Sequence, residues 1–149
     1  MRTSVIRDTY LQVMEDIELL QIDIERVGQP RNDGTRGSAL YRVPIKLSAR
    51  PSALWSEIAV KVWDNPPAFS TMHRRGIASV EDDLFVLDGT TVEEVEEHHA
   101  ETLKLVVERA NVETRRLVQK QEEEQARQQQ QAEAHEANVA DVAKRIKFD

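Results

Sequence analysis

An amphipathic helix pattern opens at Thr91, loses its apolar stripe after Val118, runs on through the tract EEEQARQQQQ and regains apolar spacing only at Val139. The stripe itself, Val92, Val95, His99, Leu103, Val106, Ala110 and Leu117, spans about 26 residues, or roughly 39 Å at ~1.5 Å per residue. A typical strand covers only ~17–20 Å, so a small sheet shelters about half of such a helix. The distal turns must then face solvent or another helix. The start is well marked. Thr91 and Glu94 have the spacing of a capping box, and Glu93, Glu94, Glu96 and Glu97 place negative charge at the positive end of the helix dipole.

From Gln119 to Glu136 the composition is almost wholly Gln, Glu, Ala and Arg, strong helix formers without a hydrophobic seam, as in a solvated single helix or a helix-prone linker. Val139, Val142, Ala143 and Ile146 then fall at i, i+3, i+4 and i+7, followed by Phe148, with Lys144, Arg145 and Lys147 beside them. Such a tethered end can dock into a groove on another protein. It can also fold back as a hairpin on Val106, Ala110 and Leu117, or pair with the same stripe of a second copy as a coiled coil.

With 149 residues the expectation is one folded body over residues 1–118 and a helical extension over 119–149. In the body, Val5, Ile6, Tyr10, Val13 and Met14 fit a short helix or a strand. Between Asp16 and Val27, Leu20, Ile22 and Ile24 alternate with polar residues, which predicts a strand with those three on its inner face. GQPRNDGTRGS, residues 28–38, reads as a long mobile connection with a turn at Asn32-Asp33-Gly34 and with Arg31 and Arg36 exposed. Tyr41, Val43, Ile45 and Leu47 alternate in a second, antiparallel strand, and Pro44, which has no N–H, predicts that this strand lies at a sheet edge. Pro51 opens a helix with the apolar face Leu54, Trp55, Ile58, Ala59, Val62 and Trp63, ended by Asn65-Pro66-Pro67. After an ordered loop AFSTMHRRG, the run IASVEDDLFVLDG reads as two short strands joined at Glu81-Asp82-Asp83. The fold class that follows is α+β, a small antiparallel sheet in the order β-β-α-β-β-α with a long C-terminal helical extension.

The formal charge is −7 and is unevenly placed: residues 1–80 carry eleven basic and nine acidic side chains, residues 81–149 nine and eighteen. That acidity disfavours general nucleic-acid binding. The absence of cysteine excludes disulfides and thiolate chemistry and suits a reducing compartment, and neither a signal-peptide core nor a run of ~20 apolar residues is present. A cytoplasmic protein without membrane spans is expected.

Three chemistries can be weighed against plainer readings. Ser70, His73, Arg74 and Arg75, with Gly76 allowing close backbone approach, have the groups to hold a phosphate or carboxylate. The plainer reading pairs the two arginines with acids such as Glu81 or Asp82. Glu94, His98 and Glu101 share one helix face at i, i+4 and i+7 and are a weak metal-ligand set, more simply a solvated face. A serine nucleophile would need Ser70 or Ser79 to meet His73 or a helix histidine beside a carboxylate, yet no GxSxG, P-loop or GxGxxG is present. Trp55 and Trp63 read as core rather than as base-stacking platforms, and His99 as a packing residue. The expectation is therefore a non-catalytic interaction or adaptor subunit of a larger assembly, without a cofactor, oligomeric through its extension, whose partner is another protein or a second copy and whose contact residues are Val139, Val142, Ala143, Ile146 and Phe148. A small anion- or nucleic-acid-binding module using residues 68–76 is the alternative, and a metal-dependent hydrolase the second.

Overall fold

The computed structural model describes residues 15–31 and 39–149, and the chain divides into two compact units with the boundary between Thr114 and Arg115. The expectations for Val5–Met14, for the Asn32-Asp33-Gly34 turn and for Arg36 lie outside the described residues. In the first unit, strands β1 (Leu19–Ile22), β2 (Tyr41–Leu47), β3 (Ala78–Glu81) and β4 (Leu84–Thr90) form one antiparallel sheet in the order β1-β2-β4-β3. Helix α1 (Ala53–Asp64) connects β2 to β3. After β4 come one helical turn α2 (Val92–Glu94), a π turn (Val95–His99) and the helix α3 (Ala100–Arg145). This is the α+β order that the hydrophobic pattern predicts.

Strand alternation explains the core. Val43 and Ile45 lie opposite Leu87 and Phe85 on β4, and all four are buried on one face of the sheet with Leu47. Trp55, Ala59 and Trp63 of α1 and Val95, Leu103, Val106, Val107 and Ala110 of the last helix bury against the same cluster. A fully buried large apolar side chain contributes ~1.5–3 kcal/mol, several times the spread of intrinsic helix propensities, so this shared face holds the helices.

Two strand expectations need correction. Of Leu20, Ile22 and Ile24, only Ile22 packs on the core; Leu20 is exposed and Ile24 is 83% exposed. The register slips between Leu19 and Gln21, so Leu20 is the extra residue of a bulge and its neighbour Leu19 turns inward instead. The strand then stops at Ile22, and Ile24 falls in a 3₁₀ turn. Nor is β2 an edge strand, since β1 and β4 flank it and Pro44 is fully buried. In that register Asp23 faces Pro44, and the Asp23 N–H donates to the Pro44 carbonyl at 3.0 Å. Pro44 has no N–H to return, so the Asp23 carbonyl accepts from Arg26 N at 3.0 Å, which closes the 3₁₀ turn. The proline ends its neighbour strand instead of marking an edge.

Capping sets the helix starts. Ser52 is the N-cap of α1, its hydroxyl accepting from Trp55 N at 3.1 Å, so Pro51 stands just outside the helix. Thr91 Oγ1 accepts from Glu94 N at 3.0 Å, the first half of the expected capping box. The β3–β4 hairpin turns on two residues, Asp82 and Asp83, and Asp82 has the positive φ of 51° that Asp tolerates better than most side chains.

One buried polar clamp ties distant parts of the first unit together. Asn111 Oδ1 accepts from Ile17 N at 2.9 Å and from Trp55 Nε1 at 2.8 Å, while its Nδ2 donates to the Ile17 carbonyl at 2.9 Å. The amide thus fastens the segment before β1 and the start of α1 to one turn of α3.

The second unit, Arg115–Asp149, is helical to Arg145, and every residue from Glu123 onward is exposed. Local pairs decorate it, Arg127 with Glu124 and Gln129 Nε2 with Glu133 at 3.3 Å, each worth only ~0.2–0.5 kcal/mol. Helix α3 runs without a break from Ala100 to Arg145. Among the described residues, no helix is long and apolar enough to cross a membrane.

Candidate functional site

Among the described residues, a close grouping of chemistry-bearing side chains surrounds Trp63 at the end of α1. Its ring is fully buried, with the His73 ring 4.3 Å and the His99 ring 5.4 Å away, centroid to centroid. The loop after α1 is laced onto this tryptophan. Trp63 Nε1 donates to the Arg74 carbonyl at 2.8 Å, and His73 Nε2 donates to the Trp63 carbonyl at 2.7 Å. Gly76 N donates to Asp64 Oδ1 at 2.8 Å; Gly76 has φ +78°, and open space where a Cβ would stand, so glycine is required for its backbone conformation and not for close approach.

The four anion-site candidates are brought into this loop, but each is already engaged. Arg74 Nε donates to both Glu94 carboxylate oxygens, at 3.2 and 2.9 Å, and the pair is only 35% and 15% exposed. Glu81 and Asp82, the acids considered from the sequence, pair instead with Arg42 and Arg50. Arg75 lies over the Phe69 ring at 5.7 Å, His73 is spent on Trp63, and the Ser70 hydroxyl accepts from Met72 N at 3.1 Å.

The weak metal set is dispersed by the same contacts. Glu94 turns to Arg74, His98 lies beside Ser70 and Glu97, and Glu101 pairs with Lys104 at 3.1 Å. Among the described residues, no group of three His, Asp or Glu side chains is arranged to hold a metal ion. The serine arrangement is approached but loose. Ser70 Oγ stands 3.4 Å from His98 Nδ1, and His98 Nε2 is 3.7 Å from Glu97, itself 67% exposed. Working nucleophile–base pairs sit at ~2.6–3.2 Å with the base held by a third group, and a solvated carboxylate on the adjacent residue does not hold it.

His99 is fully buried, as its place on the apolar stripe predicts, and neither ring nitrogen has a hydrogen-bond partner. Burial pushes its pKa below the ordinary value; the nearby Glu94 carboxylate opposes that shift, while His73, His98 and Arg74 reinforce it. The imidazole is held neutral as a packing group. The π turn, whose Ala100 N–H reaches back to the Val95 carbonyl, adds a residue to the turn; within it His99 enters the core and His98 lies toward the loop. No local sequence signal marks such a turn.

A second feature lies on the outer side of that loop. Two open concavities of about 380 and 290 Å³ share Leu105 as a wall. The larger is lined by Ala68 and Phe69 from the loop and by Glu96, Glu97 and Glu101 from the helix; the smaller by Pro67, Glu108, Arg109 and Val112. Phe69 and Val112 are large apolar side chains left about half exposed. Helix periodicity alone does not reveal this groove, because its floor needs the loop's placement by Trp63. Comparison with known protein families, curated proteins and solved structures finds no match for the chain.

Proposed function

We propose that this chain is a non-catalytic interaction protein that joins a larger assembly through the C-terminal end of α3. The observation that carries the reading is the exposure of Val139 (50%), Val142 (37%), Ile146 (53%) and Phe148 (96%) in one short stretch of the second unit, with Ala143 among them. Apolar surface hidden from water gains ~25 cal/mol per Å², so Val139, Val142 and Ile146 at i, i+3 and i+7, followed by Phe148 beyond the helix end, favour a partner with a matching groove. Lys144, Arg145 and Lys147 beside the stripe favour an acidic rim on that partner. The engagement of Arg74 with Glu94 and of His73 with Trp63 favours this function over the anion-binding and hydrolytic alternatives.

The test is deletion of residues 136–149. Mass in solution by light scattering, and retention of partners in a pull-down, should both fall to the level of the isolated chain. The thermal midpoint of the body should not move, because every deleted residue is exposed. Assembly that survives the deletion removes the reading.

A further inference from the structure

We infer that the occupant of this docking element's partner groove is a second copy of the chain: the C-terminal end of α3 from one copy seats in the groove between Pro67–Ser70 and the π turn with the first turns of α3 on another. The inference rests on the docking function proposed above and names its partner.

Charge complementarity carries it. The groove has an apolar floor, Phe69, Leu105 and Val112, under a rim of four glutamates, Glu96, Glu97, Glu101 and Glu108, set against one arginine, Arg109, and His98, so acids outnumber fixed bases there. The segment from Val139 to Phe148 has the opposite character, an apolar stripe flanked by Lys144, Arg145 and Lys147 with a single acid, Asp141. An exposed apolar helix end with a basic flank and an open apolar groove with an acidic rim are complementary in both terms, and each chain carries one of each. Rim charges steer such an encounter and fix its register, while the apolar anchors hold it. Because the tail of one copy meets the groove of the next, the contact closes when two copies exchange tails reciprocally.

Charge reversal in the full-length chain tests this. Glu97→Lys with Glu101→Lys reverses the rim, and Lys144→Glu with Lys147→Glu reverses the segment. The wild-type chain is expected to show more than monomer mass by sedimentation, with an association that weakens as salt rises. Each double variant alone should associate about tenfold or more weakly, since like charges replace opposite ones. An equimolar mixture of the two should regain the wild-type mass, because the reversed rim of one meets the reversed segment of the other. Glu97→Gln with Glu101→Gln guards against misfolding by the lysines and should weaken association to an intermediate degree.

A wild-type chain that stays monomeric at every concentration overturns the inference, as does a rim variant that associates like the wild type. Failure of the mixture to recover, with each variant folded, points to a contact within one chain and overturns it too. If deletion of residues 136–149 dissolves an assembly that the rim variant leaves intact, the docking function stands and only this groove is refuted; if neither change matters, both fall.

Discussion

Asn111→Leu should be the most damaging conservative change in the first unit. The substitution keeps side-chain volume roughly constant, so no large cavity is opened. It strands three buried groups at once: the Ile17 N–H, the Ile17 carbonyl and the Trp55 indole N–H. A buried donor or acceptor left unpaired costs ~1–3 kcal/mol, and the gain from burying leucine offsets part of the total, so the net loss should be about 2–5 kcal/mol. In urea, at a mid-range slope of ~2 kcal/mol per molar for a small domain, that lowers the midpoint by about 1–2.5 M. The assay is equilibrium unfolding followed by tryptophan fluorescence and by circular dichroism. A coupled control sharpens it. Trp55→Phe removes the indole N–H and should cost about 1–2 kcal/mol in the wild type, yet little more in the Asn111→Leu background, where that donor is already stranded. Strict additivity of the two changes, or a loss below about 0.5 kcal/mol for Asn111→Leu, refutes the clamp as described.

Three further outcomes follow from the same geometry. His99 has a folded-state pKa lowered by burial, so its contribution to stability is present above the ordinary histidine value of ~6.5 and is lost as pH falls below it. His99→Leu should therefore flatten the dependence of the thermal midpoint on pH between about 7 and 5, and an unchanged slope contradicts the assignment. Trp63→Phe removes the donor to the Arg74 carbonyl and should cost about 1–3 kcal/mol, with faster proteolytic cleavage within residues 69–76 as the local readout. Val142→Asp with Ile146→Asp changes only exposed positions, so unfolding should shift by less than about 0.5 kcal/mol while association is lost.

Much of the fold could be read before any coordinates because the relevant signals are local. Period-2 alternation in Tyr41–Leu47, the apolar face of Leu54–Trp63 and the Thr91 cap each depend on residues a few positions apart, and each is present as expected. The failures share a cause. Leu20 leaves the inner face because of a bulge, Pro44 sits inside the sheet because its neighbour strand stops, and Glu94 goes to Arg74 rather than completing the capping box. Each depends on a partner far away in sequence. The candidate residues behave likewise. Ser70, His73, Arg74 and Arg75 do gather in one loop, yet His73 is bonded to Trp63, Arg74 to Glu94 and Ser70 to Met72 N, while Arg75 lies over Phe69, which no motif could reveal. The groove beside Leu105 arises only once that loop is fastened, whereas Val139, Val142 and Ile146 stand out in the sequence by their own i, i+3 and i+7 spacing.

Amide hydrogen exchange of the intact chain, read from dilute to concentrated solution, bears most directly on the docking role of the α3 end. Protection over residues 137–147 should rise with concentration, together with protection of the groove turns around residues 96–105, and both rises should vanish in the Glu97→Lys, Glu101→Lys variant. Exchange over residues 137–147 that stays fast and independent of concentration contradicts the account.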